Sequence, residues 1–410
     1  MNLIVRLCAT NKLSTKSKFG GKVKVKMLSI VLAIVMVLGV IGCTTTGNTA
    51  KPAESETITF GVLAPLTGTN AEYGKGFQVA TQMAADEINA KGGVAGKQIK
   101  LIVMDSKGDP KESSDLARQL VENKEVMAII GDFTSSASMA DVPIIDEAKI
   151  TLLSPTASNP NYAGMSDYAF SVMGRQSDEG PFFSTYILGK YMQAKKVGII
   201  YINSDWGLSS FKAVTDQMKI DGIELVAEAN YVAGETDFTS VITKVKAANP
   251  DTVLILDQGA VAQVVNQIRT SGWTDVKLTT LGPGASQQLI DLTKENSEGL
   301  ITSTPFFFND EDAPAVAFKK TFIEKAGFEP TVHPVVAYDA LYLLVEAIKK
   351  IEGPITREEI AKQLAATEYT GLAGPIKFLP AGDVSRKYVI GQVKDGKWFL
   401  AAGYDYSTSK

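Results

Sequence analysis

The chain has 410 residues, with 41 basic and 45 acidic side chains, one histidine and two cysteines. A lone histidine argues against His-based metal sites and against Ser-His-Asp or Cys-His catalysis, because no second His or free Cys is present to share the work. Seven basic residues and no acidic one precede Cys43, so the remainder holds 34 basic against 45 acidic residues, a net of −11. Such a body has no broad attraction to nucleic acid or anionic lipid.

The run LSIVLAIVMVLGVI at 28–41 comes first, with only Ser29 and Gly39 not strongly apolar. Spanning a bilayer takes about 20 apolar residues, so this run is too short, and it fits the apolar core of an export signal. Its basic flank contains Arg6, Lys12, Lys16, Lys18, Lys22, Lys24 and Lys26. The junction Val40-Ile41-Gly42-Cys43 resembles a bacterial lipobox, in which the Cys thiol is lipidated and the chain is cut before it. The alternative is a short transmembrane anchor with an incidental Cys. Either way the rest of the chain faces outward from the cell membrane. Cys8 would leave with the signal and Cys43 would be lipidated, so no disulfide is expected. Residues 43–56 follow as a small, polar tether that cannot bury apolar surface.

From Ile58 short apolar runs alternate with helical patterns. Strands are expected at 58–63, 99–104, 126–130 and 151–153, and in a second series at 197–202, 223–227, 252–256, 277–281 and 299–303. Between them, Phe77, Ala80, Ala84 and Ile88 recur at helical spacing over 76–90. Asp109, Pro110 and Glu112 form a helix start, with Leu116 and Leu120 as its buried stripe. Similar patterns place helices near 207–220, 237–248, 260–271, 313–326 and 336–351. Asp395-Gly396, between 387–394 and 397–402, marks a hairpin. Two βα series imply an α/β fold of two doubly wound parallel-sheet lobes facing each other. The size of the chain leaves room for two real cores.

In doubly wound sheets ligands bind outside the carboxyl ends of the strands. That rule selects Pro65–Gly68, Phe133-Thr134-Ser135-Ser136, Ser154–Asn159, Ser204–Trp206, Asp257-Gln258 and Gly282–Gly284. No phosphate-cradling Gly-rich motif occurs there, so no nucleotide cofactor is indicated. His333, between Val332 and Pro334, reads as a structural loop residue.

TFGVLAPLTGTNAEYGKGFQVATQMAADEINAKGGVAGKQIKLIVMDSKGDP at 59–110 resembles the opening of the leucine/isoleucine/valine-binding protein family. These are type I periplasmic binding proteins that serve ABC importers. IIGDFTSSAS at 129–138, LLSPTASNP at 152–160, SVMGRQSDEGP at 171–181, IYINSDWGLSS at 200–210 and AYDAL at 337–341 extend the resemblance over 57–404.

The resemblance implies that a ligand carboxylate is held at Ser135, beside Thr134, with further contacts at Ala157 and Ser158. It implies aromatic walls from Tyr73, Trp206 and Tyr338 with Phe133 as apolar lining, and the strand-end rule adds Gln258 as a candidate contact. Relatives place a Glu after the strand at 277–281 to meet the ligand ammonium, whereas this chain has Gly282-Pro283-Gly284-Ala285. Asp257, at a neighbouring strand end, could supply the carboxylate. A cysteine pair present in some relatives is absent. Ser135 and Asp257 also suit helix caps, and Trp206, Tyr73 and Tyr338 also suit plain packing. Arg175, beside the presumed lobe crossing, could meet an anionic ligand but reads more readily as the partner of an interlobe acid.

The resemblance further implies a three-crossing hinge near 172–176, 302–306 and 379–386. Lobe 1 would hold 57–173 and 304–381, and lobe 2 would hold 175–303 and 385–404. The expectation is a lipid-anchored receptor that closes on a small solute, most readily an apolar amino acid, and presents it to the permease subunits of an importer. No enzyme chemistry, metal or cofactor is expected. Aromatic or aliphatic carboxylates, short amides and urea are the alternative ligands, for an importer or a sensor.

Overall fold

A computed structural model describes residues 57–403 of the chain. The expected leader, the expected lipidation site Cys43 and the expected tether lie outside these residues. Among the described residues, no helix is long and apolar enough to cross a membrane.

The first sheet is built from β1 (Thr57–Ala64), β2 (Gln98–Asp105), β3 (Val126–Ile130), β4 (Thr151–Ser154) and β5 (Ala169–Ser171). These strands are all parallel, in the order β2-β1-β3-β4-β5. β1 is buried from Ile58 to Ala64, which is why its residues run apolar without alternation. Its connections are α1 (Ala71–Ala90), α2 (Pro110–Glu122) and α3 (Ser135–Glu147). α2 begins as expected, with the Asp109 carboxylate accepting the Glu112 N–H at 2.8 Å and Pro110 in the first turn.

The second half starts with α4 (Gln176–Phe182), which runs straight into a π-helical stretch, Phe183–Tyr191. Then come β6 (Lys196–Ile202), α5 (Asp205–Asp221), β7 (Glu224–Tyr231), α6 (Thr239–Ala247) and β8 (Thr252–Leu256). α7 (Val261–Thr270), β9 (Lys277–Thr280), α8 (Gln287–Thr293) and β10 (Ile301–Thr304) complete the series. Next are α9 (Ala313–Ala326), α10 (Val332–Ile348), α11 (Arg357–Ala365) and the small hairpin β11 (Tyr369–Gly371) and β12 (Gly374–Ile376). α10 and α11 pack into the core of the first sheet. The chain then returns as β13 (Val389–Lys394), antiparallel to β10, and β14 (Lys397–Gly403), antiparallel to β13. The second sheet therefore has seven strands, in the order β14-β13-β10-β9-β8-β6-β7.

Each sheet is covered on both faces. α1 packs on α10 over one face of the first sheet, and α2 packs on α3 over the other. In the second, α6, α7 and α8 cover one face while α4, the π-helical stretch and α5 cover the other. Three stretches of chain pass between the sheets: after β5, after β10 and before β13. Arg386 ties two of them together, donating to the Val172 carbonyl at 2.7 and 2.9 Å and to the Ala373 carbonyl at 2.9 Å. Arg175 pairs with Asp178 at 3.2 Å and with Asp383 at 3.5 Å, so its partners are acids beside the crossings.

One expectation is corrected here. His333 is not a loop residue; it lies in the first turn of α10, behind Thr331, whose hydroxyl oxygen accepts the His333 N–H. Pro334 does not break this helix, because a first-turn residue needs no intrahelical N–H bond.

Candidate functional site

The carboxyl ends of the two sheets face each other across an enclosed crevice. From the first sheet it is lined by Phe133 past β3, by Thr156 and Ser158 past β4, and by Val332 and His333 of α10. Glu179, Trp206, Gln258, Gly282, Pro283 and Tyr388 face them from the second, with Met173 and Pro305 at the crossings.

The aromatic side is a packed cluster of rings. The Tyr73 ring stacks on Phe133 at 4.6 Å with 6° between the planes. His333 stands edge-on to both rings, at 4.8 and 5.5 Å. Burial pushes the His333 imidazole down to about 3, so it is neutral at ordinary pH. The Tyr73 hydroxyl reaches the opposite lobe and donates to the Pro283 carbonyl.

The hydroxyl side follows from the start of α3. Thr134 is the helix cap, its hydroxyl oxygen accepting the Ala137 N–H at 3.2 Å. Ser135, fully buried, accepts the Asn159 N–H at 3.3 Å and so joins the loops past β3 and β4. Thr156 donates to the Phe133 carbonyl at 2.7 Å, and Ser171 donates to the Ala157 carbonyl at 2.6 Å. Trp206, 2% exposed, donates its indole N–H across the crevice to the Ser158 hydroxyl at 3.2 Å. Asn159 likewise donates to the Asp205 carbonyl at 3.0 Å, and the Asp205 N–H donates to the Ser136 hydroxyl at 3.3 Å. The two lobes are thus in polar contact on both sides of the crevice.

Phe133, Ser158, Trp206 and Gln258 line the crevice, and Tyr73, Thr134, Ser135 and Ala157 support its walls. Two expected residues stand apart. Tyr338 packs with Phe318 and Tyr342 and donates to the Glu87 carboxylate of α1 at 2.5 Å. Five residues on a helix is roughly 140° around its axis, so His333 rather than Tyr338 faces the crevice. Asp257 is buried, accepting the Tyr231 hydroxyl at 2.6 Å and the Gly259 and Ala260 N–H groups at 2.5 Å. Its carboxylate braces the turn into α7.

Glu179 was not anticipated. It sits in the first turn of α4, 7% exposed, and its Oε1 accepts the Ser303 hydroxyl at 2.5 Å. The Gly282 backbone N–H also faces the carboxylate, yet burial pushes the group up to about 7. Asp178-Glu179 in a first turn reads as ordinary complementarity to a helix dipole. The signal that it lines a site lies in Ser303, 124 residues further along the chain.

No group of His, Cys, Asp and Glu among the described residues could hold a metal ion. The crevice contains no nucleophile paired with a base; it is a closed chamber of aromatic faces, hydroxyls and one carboxyl.

Two doubly wound lobes around such a chamber define a two-lobed solute receptor of the type I periplasmic architecture. The chain belongs to the periplasmic binding protein family, whose model matches residues 57–397. It is 31% identical to an amino acid binding protein of Pseudomonas aeruginosa over 220 residues, 53% of this chain and 58% of the relative. This chain thus spans little more than half the length of that relative. It is 27% identical to the Leu/Ile/Val-binding protein of Escherichia coli strain K12 over 337 residues, 81% of this chain and 89% of the relative. Among solved structures it is similar to the substrate binding protein of a branched-chain amino acid transporter from Streptococcus pneumoniae, in complex with isoleucine. That likeness has a TM-score of 0.78 and 28% identity, over 85% of this chain and all of the other.

Proposed function

We propose that this protein is the extracytoplasmic substrate-binding lipoprotein of an ABC importer and that it captures an apolar amino acid, most readily a branched-chain one. The observation that carries the reading is the crevice itself. It is enclosed between two lobes, apolar and aromatic on one side, and rich in hydroxyls and N–H donors on the other. A small zwitterion with an apolar side chain complements that division. The names of the relatives, and the isoleucine in the solved structure, support the same class.

In this reading lobe 1 comprises 57–173 and 304–381, and lobe 2 comprises 175–303 and 385–404. They close by hinge motion about the three crossings and expel water from the ligand. No bond of the solute is made or broken. The closed form docks on permease subunits, and ATP is hydrolysed by another protein. Residues 1–42 direct export, and a lipid on Cys43 holds the protein at the outer face of the cell membrane, with 43–56 as tether.

A thermal-shift screen with apolar amino acids, aromatic and aliphatic carboxylates, and short amides tests the ligand class, since a ligand that binds only the folded state raises its stability. The expected result is a rise with leucine, isoleucine or valine. A rise confined to carboxylates would favour the second reading, a receptor for aromatic acids, for which the stacked Tyr73 and Phe133 rings speak.

A further inference from the structure

We propose that Glu179 receives the ammonium group of the bound amino acid. The inference rests on the amino-acid reading above and deepens it, assigning the cationic end of the ligand to a named atom group of α4.

The geometry carries the argument. Glu179 is the one Asp or Glu among the crevice-lining residues, and no Lys or Arg lines the crevice. Its carboxylate is held from two strand ends of its own lobe, by the Ser303 hydroxyl and the Gly282 N–H. Both are neutral donors. They fix the position of the carboxylate without neutralising it. A buried carboxylate without a cation is costly, and the cost is relieved by a proton or by a ligand cation.

The surrounding charges are committed elsewhere. Arg175 is engaged by Asp178 and Asp383, and Arg386 by the Val172 and Ala373 carbonyls. Tyr388 faces the carboxyl from the segment before β13 and is held protonated by burial. His333 faces the crevice from α10 and is neutral. Asp178, on the same helix, is paired with Arg175. No resident group supplies the positive charge, whereas the hydroxyl-bearing Thr156 and Ser158 line the opposite wall. A ligand bearing both charges satisfies both walls at once.

One proton accounts for the exchange. With the crevice empty and the lobes in contact, as in this structure, the Glu179 carboxyl retains its proton through weakly acidic conditions. When the ammonium arrives, that proton leaves to solvent and the carboxylate accepts the N–H bonds of the ligand. Binding near pH 6 therefore releases a proton, and binding near pH 9 does not.

Calorimetric titration decides this with wild type, Glu179→Gln and Glu179→Asp. The ligands are leucine, isoleucine, valine and phenylalanine, each alongside the acid that lacks its amino group, in buffers of differing ionisation enthalpy. Circular dichroism confirms that the variants are folded. The expected result is at least about a tenfold loss of amino-acid affinity in Glu179→Gln, partial recovery in Glu179→Asp, and proton release near pH 6 in wild type but not in Glu179→Gln. Equal amino-acid affinity in wild type and Glu179→Gln overturns the role of Glu179 and leaves the amino-acid reading intact. Binding of the des-amino acids alone, or of none of these ligands, by wild type overturns both.

Discussion

The Tyr231 hydroxyl donates to the Asp257 carboxylate at 2.6 Å, and this bond turns Asp257 away from ligand duty. The other oxygen already accepts two backbone N–H groups at the start of α7, so the carboxylate is a brace inside the second lobe. Asp257→Asn keeps an acceptor for those N–H groups but disturbs the bond from Tyr231. Leaving a buried polar group unsatisfied costs about 1–3 kcal/mol. Asp257→Asn and Tyr231→Phe are each expected to lower stability by about that much in urea denaturation. Leucine affinity, measured by calorimetry on the folded variants, should change less than about threefold. A tenfold loss of affinity at unchanged stability would place Asp257 at the ligand after all.

Closure has its own signature residue. A Cβ on Gly259 would lie 2.7 Å from Asn70 Oδ1 and 3.1 Å from the Thr69 carbonyl, on the facing loop of the first lobe. Asn70 can swing aside, but the Thr69 backbone cannot do so freely. Gly259→Ala should therefore oppose the closed form. Overpacking at such a contact costs roughly 1–3 kcal/mol, which is about tenfold or more in ligand affinity. Tyr73→Phe removes the interlobe bond to Pro283 while keeping the ring stack, and should cost less, about 0.5–1.5 kcal/mol. Small-angle scattering reads the mechanism directly. Wild type should contract on adding ligand, and Gly259→Ala should need more ligand for the same contraction. If Gly259→Ala binds and contracts as wild type does, closure does not depend on this contact.

The two-lobed fold was legible because its strands are buried on both faces and so read as unbroken apolar runs. β1 and β8 are examples. α2 was legible from its start at Asp109, Pro110 and Glu112 together with the apolar spacing that follows. α4 was not, because Gly180 and Pro181 look like breakers. Gly180 is there for close packing, as a Cβ would come within 2.6 Å of the Ala213 side chain, and the helix is only seven residues long. At the crevice, the loops after β3 and β4 could be placed by the strand-end rule, since that rule needs only local pattern and topology. His333 and Glu179 could not. Each is given its surroundings by residues more than a hundred positions away: His333 by Tyr73 and Phe133, Glu179 by Ser303. The interchange of Tyr338 with His333 shows the same limit on a finer scale, since a shift of five residues along one helix selects the face that packs on α1 instead of the face at the crevice.

Cys43→Ser tests the proposed anchor. Two acyl chains hold a protein durably on a membrane, at about 0.8 kcal/mol per buried methylene. Without them the acidic body offers little affinity for anionic lipid. The variant should remain unlipidated and should partition largely to the soluble fraction or the medium, whereas wild type sediments with membranes. Mass spectrometry of the wild-type N-terminus should find an acylated Cys43. An unmodified Cys43 in a fully soluble wild-type protein would refute the anchor.

The pH dependence of stability isolates Glu179 without any ligand. Burial raises its carboxyl from 4.5 to about 7, so the folded state prefers the protonated form. For a raised carboxyl, the corresponding stability is fully present below the unfolded value near 4.5. It is lost as pH rises through the folded value near 7. A shift of that size corresponds to about 3 kcal/mol once the group is ionised. Glu72, in the neighbouring cavity that also includes Gln258, is raised by burial to about 7 and Asp339 to about 6, and each contributes a parallel loss. Glu179→Gln removes the contribution of Glu179 alone while keeping an acceptor for the Ser303 hydroxyl. Urea denaturation of the ligand-free proteins should therefore show similar stabilities near pH 5. Near pH 8.5 the variant should be the more stable, by up to about 3 kcal/mol. Saturating leucine should narrow that gap, because its ammonium compensates the ionised carboxylate in wild type and has no partner in the variant. Parallel stability curves for the two proteins across this range would show that the Glu179 carboxyl titrates as an ordinary surface acid.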